Sequence, residues 1–310
     1  MAVGYGMTPT QKAEMIADSD IVVSKNTVWR RFRRHRVAMI GGVILILMLL
    51  VAALANVITP ADPNFIDQVN WQGTPLAPGV AHHILGTDEN GRDLLARLLF
   101  GTRISLTVAI FAVVMEILIG SVLGAISGYY GGWVDFVIMR VTDVVLSIPL
   151  LPLLLVITAI VSATSQKAAL SFFVIVLIIG GLSWPAVARL VRASFLSLRE
   201  REYAEAARAL GNDDGRIIFR HLLPNAMAPI IVQATLEVAN VIILESTLSF
   251  LGFGIQPPTA SWGNMLANAQ SNVTQAPWAA IFPGLCILIT VLSINYLGDG
   301  LRDALDPNAQ

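Results

Sequence analysis

The 310-residue chain is 55% hydrophobic and 13% charged, with a mean hydropathy of +0.70, against roughly 25% charged residues in a soluble domain. Too little charge remains to solvate a globule in water, so the lipid bilayer is the expected solvent, and with a net charge of −1 no nucleic-acid partner is expected. The single cysteine, Cys286 in the apolar run IFPGLCILITVL, excludes an internal disulfide, and a thiol there is expected to act as a small hydrophobe.

Residues 1–36 are polar and basic, with Trp29 and Phe32 set among arginines. They suit a short helix at the headgroups or a disordered arm with a basic anchor. Six stretches of about 20 mostly apolar residues follow, each long enough to span a membrane as a helix. The first covers 37–58. Ala53-Leu54-Ala55 resembles a cleavage site, but the run is too long for a signal core and follows 36 polar residues, so an uncleaved helix is expected. Residues 59–102 make the largest loop, rich in Pro, Gly and Asp. Its adjacent His82 and His83 are a poor chelate without further ligands.

The second span, about 104–128, carries Glu116 and two overlapping G-x-x-x-G steps at Gly120, Gly124 and Gly128. Such a stripe lets a neighbouring backbone approach closely, where lipid gives no hydrophobic drive to association. The third, about 134–161, holds Asp143, Pro149 and Pro152. The fourth, about 171–190, contains Pro185; the fifth, about 226–251, contains Glu237, Asn240 and Glu245; the sixth, about 279–297, contains Pro283. Kinks are expected at the prolines, serving packing geometry or flexible gates. Residues 103–301 thus form a core of five spans, and 302–310 a short tail.

Lys and Arg set the orientation. Seven precede the first span, seven more lie around the loop between the fourth and fifth, and Arg140 and Arg302 fall on the same side. Only Arg92, Arg97, Arg103 and Lys167 lie opposite. Sixteen against four is a positive-inside signal, which places both termini in the cytoplasm.

The loop between the fourth and fifth spans reads SLREREYAEAARALGNDDGRIIFRHLLP over 197–224. Ser197 and Glu200 form a capping-box pair that predicts a helix from 198, and Gly211 supplies a left-handed stop after Leu210. Thirteen residues make a rod of roughly 20 Å. Tyr203, Ala207 and Leu210 share one face, with Arg201, Glu205 and Arg208 on another. Asp213 and Asp214 open a second short helix, closed by Pro224. A helix too polar for the bilayer, with an apolar stripe and a return helix, suits docking into a groove on another protein.

Glu205-Ala206-Ala207, then three residues and Gly211, and Leu223-Pro224 beyond resemble the EAA motif of ATP-binding-cassette importer permeases. His221 stands where the general motif has isoleucine, a departure that resembles the dipeptide/oligopeptide/nickel branch. Two further strings resemble the same branch: LGTDENGRDLLARLLFGTRISL at 85–106 and ESTLSFLGFGIQPPTASWGNML at 245–266. The likeness covers about 30–307. It implies an all-α polytopic subunit in a prokaryotic cytoplasmic membrane. The implied partners are a second homologous permease, two cytoplasmic ATPases and an external substrate-binding protein. Tyr203, Glu205, Ala206, Ala207, Leu210, Gly211, Leu223 and Pro224 are then the ATPase-coupling residues, and ATP and Mg belong to the partner subunits. No G-x-x-x-x-G-K-[ST] loop occurs in the chain, in keeping with that division. The implied cargo is a di- or oligopeptide, with nickel chelates or glutathione as alternatives.

Acidic residues inside spans are expensive and face bundle interiors or water-filled cavities. Glu237 and Glu245, eight apart, broadly share a helix face, and with Asn240 they are candidates for lining the translocation path or for bonding between helices. Glu116 and Asp143 are read as interhelical groups. A stand-alone proton-coupled carrier would also want such acids, but no inverted repeat is discernible and a solo carrier has no need of a docking helix. No nucleophilic catalytic set is discernible either.

Overall fold

The structure is a computed structural model that describes residues 25–59, 61–164 and 168–305. Apart from two isolated β-bridges and short 3-10 turns, its regular structure is helical. Helix α1 (Lys25–Arg34) leads into α2 (Arg36–Ile58), and His35 caps α2 through its ring nitrogen and the Ala38 amide, 3.2 Å apart. After the outer loop come α3 (Leu94–Tyr130), α4 (Gly132–Ser147), α5 (Leu150–Thr164) and α6 (Ala168–Leu198). A short α7 (Glu202–Ala209) precedes α8 (Asp214–Phe250). An outer helix α9 (Trp262–Ala269) and α10 (Trp278–Leu305) complete the described chain.

Five of these helices are long and apolar enough to cross a membrane, and α4 with α5, bent by 84° at their break, is apolar and long enough as a pair to count as a sixth. Helices stand at each of the six expected spans, the third as this bent pair, but their ends differ. α3 begins ten residues before the expected 104, because Asp93 accepts from the Ala96 amide at 2.8 Å and caps it there. α6, α8 and α10 run past the expected limits because their polar turns continue the helix beyond the apolar stretch. The third span is broken rather than continuous. Pro149 cannot donate to a helical ladder and pushes Ile148 into extended backbone (φ −91°, ψ 127°). Pro185 and Pro283 lie inside helices that continue through them.

The centre of the bundle is the long contact between α3 and α6, built on the glycine stripe. A methyl added at Gly120 would stand 2.6 Å from Val187 Cβ, and one at Gly124 2.5 Å from the Ala188 carbonyl. At Gly128 it would meet Phe195 Cβ at 2.6 Å. Gly180 of α6 returns the same intimacy to Ala112 of α3. Two helices this close gain dispersion contact along their whole seam, which lipid cannot match. α10 packs against α2 and α8, and α8 against α3. With six crossings, both ends of the described chain lie on the side that carries α7.

The outer loop from residue 61 to 93 is held by charge. Asp88 accepts from the Arg92 amide and guanidinium at 2.9 and 2.7 Å and pairs with Arg97 at 3.3 Å. His83 bridges Asp93 at 2.7 Å and Asp67 at 3.3 Å. Hydrogen bonds from Asn70 hold Asp67 down to about 2, while burial pushes Glu89 above the usual carboxylate range.

Candidate functional site

The segment joining α6 to α8 forms a compact module at one end of the bundle. α6 continues helically through Leu198, so the expected capping box at Ser197 does not form. α7 begins only at Glu202, with Arg201 as an N-cap that makes no side-chain bond. The rod is therefore eight residues long, not thirteen. Its C-terminus follows the expectation: Gly211 has φ +75°. The Gly211 amide donates to Arg208 O at 2.9 Å and the Asn212 amide to Ala207 O at 3.2 Å, the crossed pair of a Schellman turn.

The buried face of α7 also differs from the expected one. Ala204 and Ala207 are buried at 0% and 5% exposure, against Ile217, Ile218 and Leu222 below and Val191 and Phe195 of α6. Tyr203 and Leu210 point outward, Leu210 at 82% exposure, joined by Phe219 at 53% and by exposed Glu205 and Ala206. Alanines face inward because a small residue lets the α7 backbone sit close against two helix ends. Each buried Ile or Leu beneath them contributes about 1.5–3 kcal/mol. Partial burial pushes the Tyr203 hydroxyl up, so it stays a neutral donor.

No separate return helix closes at Pro224. From Asp214 the chain is one continuous helix to Phe250, with a π-helical stretch over Ile217–Leu222. Asp213 caps its start, accepting from the Arg216 amide at 2.9 Å. The wider turn sits immediately before Pro224 and absorbs the ring that an α-helical ladder would reject. It also explains why Ile217 and Leu222, five apart, share the buried side. Leu223 is half-buried against this core, and Pro224 is exposed. The module is pinned to α3 by Arg199 and Tyr129 and braced within itself by Arg208. Arg199 donates to the Gly128 and Tyr129 carbonyls at 3.1 and 3.3 Å, Arg208 donates to Arg199 O at 2.6 Å, and Tyr129 donates to Asp214 at 2.7 Å. Ala204, Arg199 and Tyr129 were not among the expected residues. The Ala204–Ala207 spacing of three was the available signal for the first.

Within the membrane, a cavity of about 510 Å³ opens between the α4–α5 break, α3, α6 and α8. Glu237, Asn240 and Glu116 line it, with Ser183, Thr247 and the wall of the break at Ile148–Leu151. Glu237 accepts from Gln233 at 2.6 Å and Asn240 at 3.1 Å. Glu245 is not part of this wall. It is fully buried and accepts from Ser249 at 2.7 Å and Ser105 at 3.4 Å. Ser105 in turn accepts from the Trp262 amide at 3.2 Å, so Glu245 ties α3, α8 and α9 together. The 80° between Glu237 and Glu245, with two turns of helix between them, separates a cavity residue from a core residue. Asp143 pairs with Arg189 at 2.5 Å, joining α4 to α6 as read from sequence. Glu116, read as an interhelical group, has no hydrogen-bond partner among the described residues.

The comparisons agree with this architecture. Residues 120–310 match the family described as binding-protein-dependent transport system inner membrane component, and 26–78 match the N-terminal TM domain of oligopeptide transport permease C. The chain is 39% identical to a dipeptide transport system permease protein of Alkalihalophilus pseudofirmus, over 97% of this chain and 96% of that one. It is 41% identical to a glutathione transport system permease protein of Pectobacterium atrosepticum, over 94% of each. It is also 43% identical to a putative peptide permease protein of Brucella suis, over 90% of each. An amino acid ABC transporter crystallised with histidines shares the fold at a TM-score of 0.50 and 20% identity, covering 66% of this chain and 92% of that one. The chain belongs to the inner-membrane permeases of binding-protein-dependent, ATP-binding-cassette importers.

Proposed function

We propose that this permease pairs with a second, homologous permease, and that two cytoplasmic ATPases and an external substrate-binding protein complete the importer. The cargo is a di- or oligopeptide; glutathione and nickel chelates are the alternatives of related chemistry. The names of the relatives support the peptide reading. The observation that carries the coupling role is the geometry of α7. Its alanine face is sealed against α3, α6 and α8, and Tyr203, Leu210 and Phe219 stand exposed beside Glu205. An exposed apolar cluster on a rigid, polar-rimmed projection is the form of a surface that docks into a groove.

ATP hydrolysis belongs to the partner subunits, and closure of the ATPases moves the module together with α6 and α8. Glu205→Lys combined with Leu210→Asp tests this. The double variant is expected to insert normally and to copurify with the partner permease while losing the ATPases. Normal uptake with the ATPases retained would overturn the assignment.

A further inference from the structure

The cavity between the α4–α5 break, α3, α6 and α8 has only acidic charge in its wall. Glu116 and Glu237 stand among apolar side chains and the polar groups Ser183, Asn240 and Thr247, and among the described residues no Lys, Arg or His lines the space. Glu237 has donors on its own helix, Gln233 and Asn240. Glu116 has none: it is 0% exposed, and neither carboxylate oxygen finds a partner among the described residues. Both residues line the same cavity, Glu116 from α3 and Glu237 from α8. A buried carboxyl without a donor is costly. An acid kept in a membrane cavity at that cost marks a place where a donor arrives.

We propose that Glu116 and Glu237 form a recognition site for a cationic amine carried by the transported solute, the ammonium of a peptide N-terminus. The proposal rests on the reading of the chain as an importer permease whose cavity borders the path. An ammonium brings three donors and one positive charge, enough to bridge both carboxylates, whereas a solute carrying only acids meets like charge. The volume of about 510 Å³ lies within the range of about 300–1,000 Å³ typical of small-molecule sites. The apolar wall from Ile148 to Leu151 accepts side chains without selecting among them, as passage of many peptides demands.

The test uses the assembled transporter with its partner subunits, in nanodiscs of phosphatidylglycerol, a lipid without an amine. A hydrophobic carbodiimide labels Glu116, read by mass spectrometry, in the presence of alanyl-alanine or N-acetyl-alanyl-alanine. The free amine is expected to protect Glu116 about tenfold or more better than the acetylated peptide, the worth of one charged hydrogen bond. Glu237→Gln is expected to erase that difference while Glu116 remains labelled. Equal protection by both peptides, or by neither, overturns the proposal. So does protection that follows pH alone, which marks a proton site, or a Glu116 already unreactive without peptide, which marks a donor from the partner permease. ATP-driven uptake by the unmodified complex is scored separately. Its absence counts against the importer reading, while its presence beside equal protection counts against the amine site alone.

Discussion

Gly211 and Gly124 resist substitution for opposite reasons, and the contrast separates two kinds of residue-level constraint. At Gly211 nothing lies within 4 Å of an added Cβ, yet φ is +75°. The cost of a side chain there is backbone strain alone, about 1–2 kcal/mol and greatest for a β-branched residue. Gly211→Val is therefore expected to leave the bundle folded and paired with its partner permease. It should loosen the Schellman turn, so that ATPase retention or coupling of hydrolysis to uptake falls; normal retention and uptake would contradict this. This glycine was legible in sequence because left-handed chemistry is local. The partners of Glu245 were not, because Ser105 lies 140 residues away and only tertiary packing brings the two together.

A second residue-level prediction concerns acid. Asp67 is held to about 2 by hydrogen bonds from Asn70, against an ordinary value of 3.8. A depressed carboxylate stabilises the fold fully above its unfolded pKa and loses that contribution as pH falls through the folded one. Protection of the outer loop against hydrogen exchange, taken relative to the intrinsic rate at each pH, should stay constant from neutrality down to about pH 4 and fall between about 4 and 2. In Asp67→Asn the loop should exchange faster at neutral pH and lose this acid step. An unchanged step in the variant would place the acid sensitivity elsewhere.

At the scale of elements, the seam between α3 and α6 is the least forgiving part of the bundle. A methyl at Gly124 would press on the Ala188 carbonyl at 2.5 Å, backbone that cannot rotate away. Gly124→Val should cost at least about 1–3 kcal/mol through overpacking, seen as a lower unfolding temperature of the detergent-solubilised subunit. Gly42→Val, whose Cβ would meet only the Leu297 side chain at 3.5 Å, should change it little. Equal effects would mean that the stripe is not the packing seam. The stripe was readable as spacing because small residues four apart have one geometric meaning in lipid. The ends of elements were less readable, since hydropathy reports where the bilayer stops and not where the helix does. Hence the capping box at Ser197 gave way to a continuing α6, and the second helix of the loop proved to be the first turns of α8. Pro149 and Pro185 carry the same local signal, yet one breaks a span and the other does not. The difference lies in neighbours that the linear chain does not display.

At the scale of the whole molecule, six crossings with the expected charge orientation predict residue 305 in the cytoplasm and Asn268 of α9 outside. A reporter fused after Leu305 should be active inside, and one inserted at Asn268 should report the exterior. Both on one side would overturn the six-span topology. The number of spans was legible from the apolar stretches and the expected orientation from the Lys and Arg distribution, because insertion is biased by charge rather than by packing.

The continuity of α8 has a mechanical consequence. Asp214, at the module, and Glu237, at the cavity, are 23 residues apart on one helix, about 35 Å at 1.5 Å per residue. A rod of that length acts as a lever. The sealed alanine contact serves as its handle, and the π-helical turn before Pro224, and Pro229 within the helix, are the places where it can bend. A tilt of a few degrees at the handle swings the Glu237 carboxylate by ångströms relative to Glu116, which rides on a different rod. A force applied in the cytoplasm can therefore open or close the distance between two acids in mid-membrane without any signal passing from residue to residue.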